Sequence, residues 1–341
     1  MSAAAHRSVS DIAAQLVANA GRSVDNLCAA PCPQGGNNRL WRIECGSGRY
    51  AVKSYFHHPA DQRDRLGTES SFVTYARACG VEAVPDIIGC DRNAGVAIYE
   101  WIDGTRPAPE QIGSRHVLAA AHFFRVLNRQ RESAHLPSAS EASFSMLQAL
   151  ERVDLRLPPL RALIPAHDLD REAIALIERI AAAWSRVRAQ ALDACIRHGI
   201  DPVREIDAQT RCISPSDFGF HNALETPRHE LRFIDFEYAG FDDPAKMMAD
   251  FFCQPALPAP LACWHDFANE AFAEFPAPEL IELRARILMP AYRLRWCCIA
   301  LNIFSPIAAA RRRFADPGFD EAAVKRRQLD LAQRLFDFAL T

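Results

Sequence analysis

Residues 213–224 read ISPSDFGFHNAL, and residues 231–240 read LRFIDFEYAG. Asp217 and Asn222 stand five positions apart in the first stretch, and an apolar run delivers Asp235 in the second. A carboxylate placed beside a hydroxyl can orient it and take its proton. An amide oxygen nearby can hold a hard cation without setting a second negative charge next to that base. The strand-like LRFID places Asp235 at its end, and Glu237, two residues on, faces the same side. Asn222, Asp235 and Glu237 therefore form a candidate ligand set for Mg²⁺, with Asp217 as the base. On a plainer reading Asp235 and Glu237 cap a turn, while Asp243 caps a helix opened by Pro244.

Asp217-Phe218-Gly219 spells the triplet that holds magnesium in protein kinases. That assignment requires a catalytic loop earlier in the chain. The only earlier candidate, RHGIDPVRE at 197–205, lacks an asparagine five residues after Asp201. Asp217 and Asn222 instead match the Asp-x-x-x-x-Asn spacing of the catalytic loop itself.

Working outward, Lys53 lies in AVKSYF, a strand-like segment after the Gly46–Gly48 turn. Glu69, Phe72, Val73 and Ala76 recur at helical spacing, which turns Glu69 onto an apolar face. An inward carboxylate needs a cation, and Lys53 can supply it; a solvated lysine is the alternative. Gly35, Gly36, Asn37 and Asn38 tolerate conformations in which backbone amides approach a phosphate, although a plain hairpin uses the same residues. No Walker-type phosphate loop is present.

Together, SPSDFGFHNAL and LRFIDFEYAGFDDPAKMMADF resemble the catalytic segment of the aminoglycoside phosphotransferase and choline kinase family, a branch of the protein-kinase-like fold. GGNN at 35–38, AVK with Lys53, the helix bearing Glu69 and IYEWIDG follow in the family's order, from about residue 25 to 255. The resemblance implies an α+β, two-lobed fold with ATP between the lobes and a hydroxylated small molecule on the larger lobe. It implies that Gly35, Gly36, Asn37, Asn38, Lys53 and Glu69 serve the phosphates. Main chain at Glu100, Trp101 and Ile102 meets the adenine. Asn222, Asp235 and Glu237 hold Mg²⁺, and Asp217 is the base. The family usually carries His-Gly-Asp where this chain has Pro215-Ser216-Asp217, so the histidine that normally braces the loop is missing. That departure leaves a nucleotide-binding pseudokinase as one alternative, and a protein-hydroxyl kinase is another.

The period of the pattern changes after Asp103-Gly104. We expect a strand-rich nucleotide lobe over 1–103, with a leading helix at about 8–20, and a helical catalytic lobe over 104–341. Only nine positions separate Asp235 from Pro244, too few for the long segment on which protein kinases dock peptides, which favours a small-molecule acceptor. A net charge of −3 gives no reason to expect nucleic acid or an anionic membrane as partner. The longest nearly apolar run, Trp296–Ala310, is shorter than the ~20 residues that span a bilayer. The N-terminus lacks a secretory pattern, and the eleven cysteines show no paired Cys-x-x-Cys spacing, so a cytoplasmic, reduced protein is expected. Trp264, Tyr292 and Trp296 read as helix core, with an aromatic substrate wall as the alternative. Arg286 and Arg293 read as a solvated face, with an anion site as the alternative. Acceptor identity and oligomeric state have no signature in the sequence.

Overall fold

The computed structural model describes residues 7–32, 37–59, 61, 63–316 and 318–339. Gly35 and Gly36 lie outside them. The chain opens with α1 (Val9–Asn19), started by a reciprocal cap between Ser8 and Asp11. Its buried face, Ile12, Ala13, Leu16 and Val17, covers a five-stranded antiparallel sheet. The strands are β1 (Cys28–Pro31), β2 (Arg39–Cys45), β3 (Gly48–Ser54), β4 (Ile87–Asp91) and β5 (Val96–Glu100), in the order β1-β2-β3-β5-β4. Between β3 and β4 runs α2 (Arg65–Ala78), whose Asp64 cap accepts from the Gly67 N–H. Phe72, Val73 and Ala76 of α2 are fully buried. Phe72 stacks on Phe236 at 4.5 Å, so the helix bearing Glu69 is packed directly against the second lobe.

That lobe is mainly helical: α3 (Ser114–Asn128), α4 (Met146–Asp154), α5 (Leu157–Arg161) and α6 (Asp168–Arg197) precede four short strands. The strands are β6 (Cys212–Ser214), β7 (Ala223–Glu225), β8 (Leu231–Phe233) and β9 (Gly240–Asp242). Then follow α7 (Pro244–Cys253), α8 (Trp264–Ala271), α9 (Pro278–Leu301), α10 (Pro306–Ala315) and α11 (Glu321–Ala339). The architecture is the expected α+β, two-lobed arrangement. α9 is the axis of the larger lobe, packed by α4, α6, α7 and α11. By length and composition it matches a membrane span, yet 61% of that window is buried inside the lobe.

α10 was not singled out in the sequence, although its start has a clear signal: Ser305 accepts from the Ala308 N–H and Pro306 occupies the first helical position. Read along the sequence, the same two residues merely interrupt an apolar run. α10 matters because its far end reaches the sheet lobe. Arg39 Nε donates to the Phe314 carbonyl at 2.6 Å, and Phe314 meets the Phe56 ring edge-on at 5.5 Å.

Candidate active site

Two short antiparallel ribbons present the chemistry-bearing residues. In the first, Ala223 of β7 faces Phe233 of β8, and the Ile234 N–H donates to the Asn222 carbonyl at 2.9 Å. Asn222 and Asp235 are thereby held at the same end of one ribbon. In the second, Ser214 of β6 faces Gly240 of β9, and the chain leaves β6 toward Asp217. Gly240 has φ +154, and a Cβ there would lie 2.3 Å from the Pro137 carbonyl oxygen, so only glycine fits. The loop between the ribbons is anchored by Phe218, which packs among Phe123, Phe233 and Phe251. Burying a phenyl side chain stabilises by roughly 1.5–3 kcal/mol, enough to hold the loop. Ser216 and Asp235 both adopt left-handed backbone, each with φ +69. Such residues cost about 1–3 kcal/mol and cluster where a side chain must be aimed.

Lys53 and Glu69 meet as a buried pair. Lys53 Nζ donates to Glu69 Oε2 at 2.6 Å and to Asp235 Oδ1 at 2.5 Å. Burial disfavours the ammonium, but Asp235, Glu69 and Glu237 outweigh it and hold the lysine pKa well above its ordinary value. Glu69 is fully satisfied. Its Oε2 also accepts from the Tyr55 hydroxyl at 2.8 Å, and its Oε1 accepts from the Phe236 N–H at 3.2 Å. The residue following Asp235 is thus tied to the helix that orients Lys53. Tyr55, itself within 2.7 Å of the Tyr99 hydroxyl, was not singled out in the sequence; its position two residues after Lys53, just past the end of β3, was the available signal.

Asp217 is about one-third exposed, and so is Asp235, so both carboxylates face the cleft. Asn222 Nδ2 donates to the Asp217 carbonyl at 3.0 Å and lies 3.4 Å from Asp217 Oδ2. Its amide oxygen has no hydrogen bond among the described residues. Asp235 spends Oδ1 on Lys53, and its other oxygen has no hydrogen bond among the described residues. One amide oxygen and one carboxylate oxygen suit Mg²⁺, which keeps waters and is held by one or two carboxylates together with substrate phosphates.

Glu237 does not fit the ligand role expected for it. Its side chain is 1% exposed. Its two oxygens accept from Asn37 Nδ2 at 3.1 Å and Asn38 Nδ2 at 2.6 Å. Arg65 Nε lies 3.7 Å away, and Asn38 Oδ1 accepts in turn from the Phe56 N–H. Glu237 therefore ties Asn37 and Asn38 to the larger lobe, and the two side-chain amides are occupied by that contact. His221 touches the candidate base: its Nε2 is 3.2 Å from Asp217 Oδ1. A Cβ on Gly219 would lie 2.9 Å from His221 Nδ1, so the glycine gives the ring its place.

Asn37, Asp217, Asn222 and Asp235 share the wall of a cavity of about 530 Å³, within the usual range for a small-ligand site. Lys53, Glu69, Glu100, Trp101 and Ile102 are not in that wall. Glu100 ends β5, and its carboxylate accepts from the Asp86 N–H and from Arg232. Trp101 donates from Nε1 to Asp103, and the Ile102 N–H has no main-chain partner among the described residues. Of the three candidate aromatics, only Trp296 reaches the cavity; Trp264 and Tyr292 are core. Arg286 and Arg293 lie outside the wall: Arg286 pairs with Glu282, and Arg293 covers the Phe338 ring. The wall does hold arginines that the sequence reading missed, among them Arg295, Arg311 and Arg312.

No protein-family model matches the chain, and no curated protein matches it. Solved structures do. A choline kinase from Cryptosporidium parvum aligns with a TM-score of 0.58 and 13% identity, covering 96% of this chain and 97% of that one. An ethanolamine kinase from Plasmodium vivax gives 0.58 and 14%, covering 90% and 81%. A spectinomycin phosphotransferase, solved with ADP and spectinomycin, gives 0.60 and 11%, covering 94% and 97%. The chain therefore shares the protein-kinase-like fold of these proteins over nearly its whole length.

Proposed function

We propose that this chain is an ATP- and Mg²⁺-dependent phosphotransferase that moves the γ-phosphoryl group to a hydroxyl of a small molecule. The observation that carries this reading is that Asp235, bonded to Lys53 and through it to Glu69, shares one cavity wall with Asn222 and Asp217. Names borne by proteins of the same fold, choline kinase and spectinomycin phosphotransferase with ADP, agree with it. Lys53, fixed by Glu69, is placed to meet the nucleotide phosphates. Asn222 and Asp235 would hold Mg²⁺, which when bound neutralises charge on those phosphates. Asp217 accepts a hydrogen bond from the acceptor hydroxyl and orients it in line. As the bond from the γ-phosphorus to the bridging oxygen breaks, a bond to the acceptor oxygen forms. ADP leaves, and Asp217 takes the hydroxyl proton. Backbone amides of the segment at 35–38 and main chain at 100–102 complete the nucleotide site in this reading.

A small acceptor fits better than a protein chain. Only residues 236–239 connect Asp235 to β9, and Phe236 and Ala239 are buried, so no exposed docking segment follows the metal aspartate. Incubating the protein with ATP, Mg²⁺ and a panel of hydroxylated small molecules is expected to give ADP in amounts that depend on the acceptor. Absence of acceptor-dependent ADP across the panel, or label from ATP appearing mainly in protein bands of a lysate, contradicts the proposal.

A further inference from the structure

We infer that the acceptor is anionic, a hydroxylated carboxylate or phosphate ester whose negative group is held by Arg311 and Arg312 of α10. The inference rests on the phosphotransferase reading and adds the charge class of the substrate. A cationic acceptor such as an amine requires carboxylates free to face it. The two acids on the helical side of the cavity, Glu141 and Asp250, are already engaged. Glu141 accepts from Arg156 at 2.6 and 2.7 Å and from Arg295 at 3.0 Å. Asp250 accepts from Arg295 at 2.8 and 2.9 Å, and from Trp296 Nε1 at 2.9 Å. Burial works against the Glu141 charge, yet Arg295 and Arg156 hold its carboxyl far below the usual range. These acids and arginines balance each other.

Arg311 and Arg312 have no such partner. Neither forms an ion pair among the described residues, whereas Arg313 beside them reaches Glu321. Both line the cavity wall that also contains Asp217, and Arg311 Nε is buried without a hydrogen bond. Burial, and then the neighbouring Arg311 and Arg327, push the Arg312 pKa down, as expected for guanidiniums crowded without a counter-ion. Half-buried like charges are costly to hold together, and an anion between them removes that cost. α10 is fixed where such an anion would sit, because Phe314 at its end is clamped between Arg39 and Phe56. Guanidinium forks suit carboxylate and phosphate oxygens in paired hydrogen bonds.

The test uses the full chain, with matched acceptors differing in charge: glycerate and glycerol 3-phosphate, glycerol, and choline with kanamycin. The anionic compounds are expected to be phosphorylated with kcat/KM at least ~10-fold above glycerol, the worth of about one charge-assisted hydrogen bond. Arg311→Gln and Arg312→Gln are each expected to raise the acceptor KM by about 10- to 100-fold, leaving the ATP KM within ~3-fold and kcat little changed. Arg312→Lys is expected to recover part of the loss, and thermal melting checks that each variant is folded. Preference for glycerol or for the cationic compounds overturns the inference while the phosphotransferase reading stands. A rise in ATP KM without one in acceptor KM also overturns it, since the arginines would then serve the nucleotide. Calorimetric titration of glycerate and glycerol 3-phosphate without nucleotide separates the two readings. Arginine-dependent binding with no transfer to any compound upholds the anion site and contradicts the phosphotransferase. No binding of either anion overturns the inference.

Discussion

The two sides of the cleft carry ion networks that are incomplete in opposite senses. On the sheet-lobe side, Lys53 serves three carboxylates, those of Glu69, Asp235 and Glu237, and the second Asp235 oxygen has no hydrogen bond among the described residues. On the helical side, Glu141 and Asp250 are saturated by Arg156 and Arg295, and Arg311 and Arg312 have no acid partner among the described residues. An excess of carboxylate next to an amide oxygen suits a hard cation; an excess of guanidinium suits an anion. Buried networks must be satisfied, so what each lacks indicates what each receives.

Asp217 belongs to neither network and shares the cavity wall with residues of both. Asp217→Ala is expected to reduce turnover by ~10²–10⁴-fold, the usual worth of a general base, with unchanged thermal melting. Initial rates of acceptor-dependent ADP release measure this, and a loss of less than tenfold contradicts the role assigned to Asp217.

The saturated pairs and the unpaired arginines should differ in stability. Arg295→Met leaves Glu141 and Asp250 short of their shared cation and is expected to destabilise by about 3–5 kcal/mol. Arg312→Gln removes a charge with no acid partner and is expected to change stability by less than ~1 kcal/mol. Chemical denaturation of both variants decides it; equal losses would erase the distinction between the two halves of the helical side.

A smaller effect separates the sheet-side bracing from both networks. Asp61 sits under Arg63 and Arg65, and although burial opposes its charge, their hydrogen bonds lower its pKa from 3.8 to about 2. A depressed carboxylate contributes stability that is complete above the ordinary pKa and is lost as pH falls through the folded value. The native protein is therefore expected to lose roughly 1–2 kcal/mol between pH 4 and pH 2 through this group. Asp61→Asn should flatten that part of the melting temperature against pH, and an unchanged profile would show that Asp61 does not contribute.

What could be read from the chain follows the range of the contacts involved. Asp217, Asn222 and Asp235 lie within one pair of short ribbons, so local spacing and an apolar strand were enough to single them out. Lys53 and Glu69 were legible because a helical face that buries a carboxylate demands a nearby cation. Glu237 was misread because its partners, Asn37 and Asn38, stand 200 and 199 positions away, and nothing local separates a buried brace from a metal ligand. The arginines of α10 went unseen for a related reason. Ser305-Pro306 marks a helix start, but which face of that helix meets the cleft depends on Phe314 docking against the distant β2.

In the proposed reaction Asp235 serves the metal and Asp217 serves the hydroxyl. Calorimetric titration of ATP, with and without Mg²⁺, into Asp235→Ala and Asp217→Ala tests it most directly. Asp235→Ala is expected to lose the Mg²⁺-dependent part of ATP affinity, because Asn222 alone cannot hold a cation that sheds water reluctantly. Asp217→Ala is expected to bind ATP with Mg²⁺ as the native protein does. If the metal dependence vanishes in Asp217→Ala and survives in Asp235→Ala, the two roles are reversed, and the Asp-Phe-Gly triplet at 217–219 is the metal-holding one.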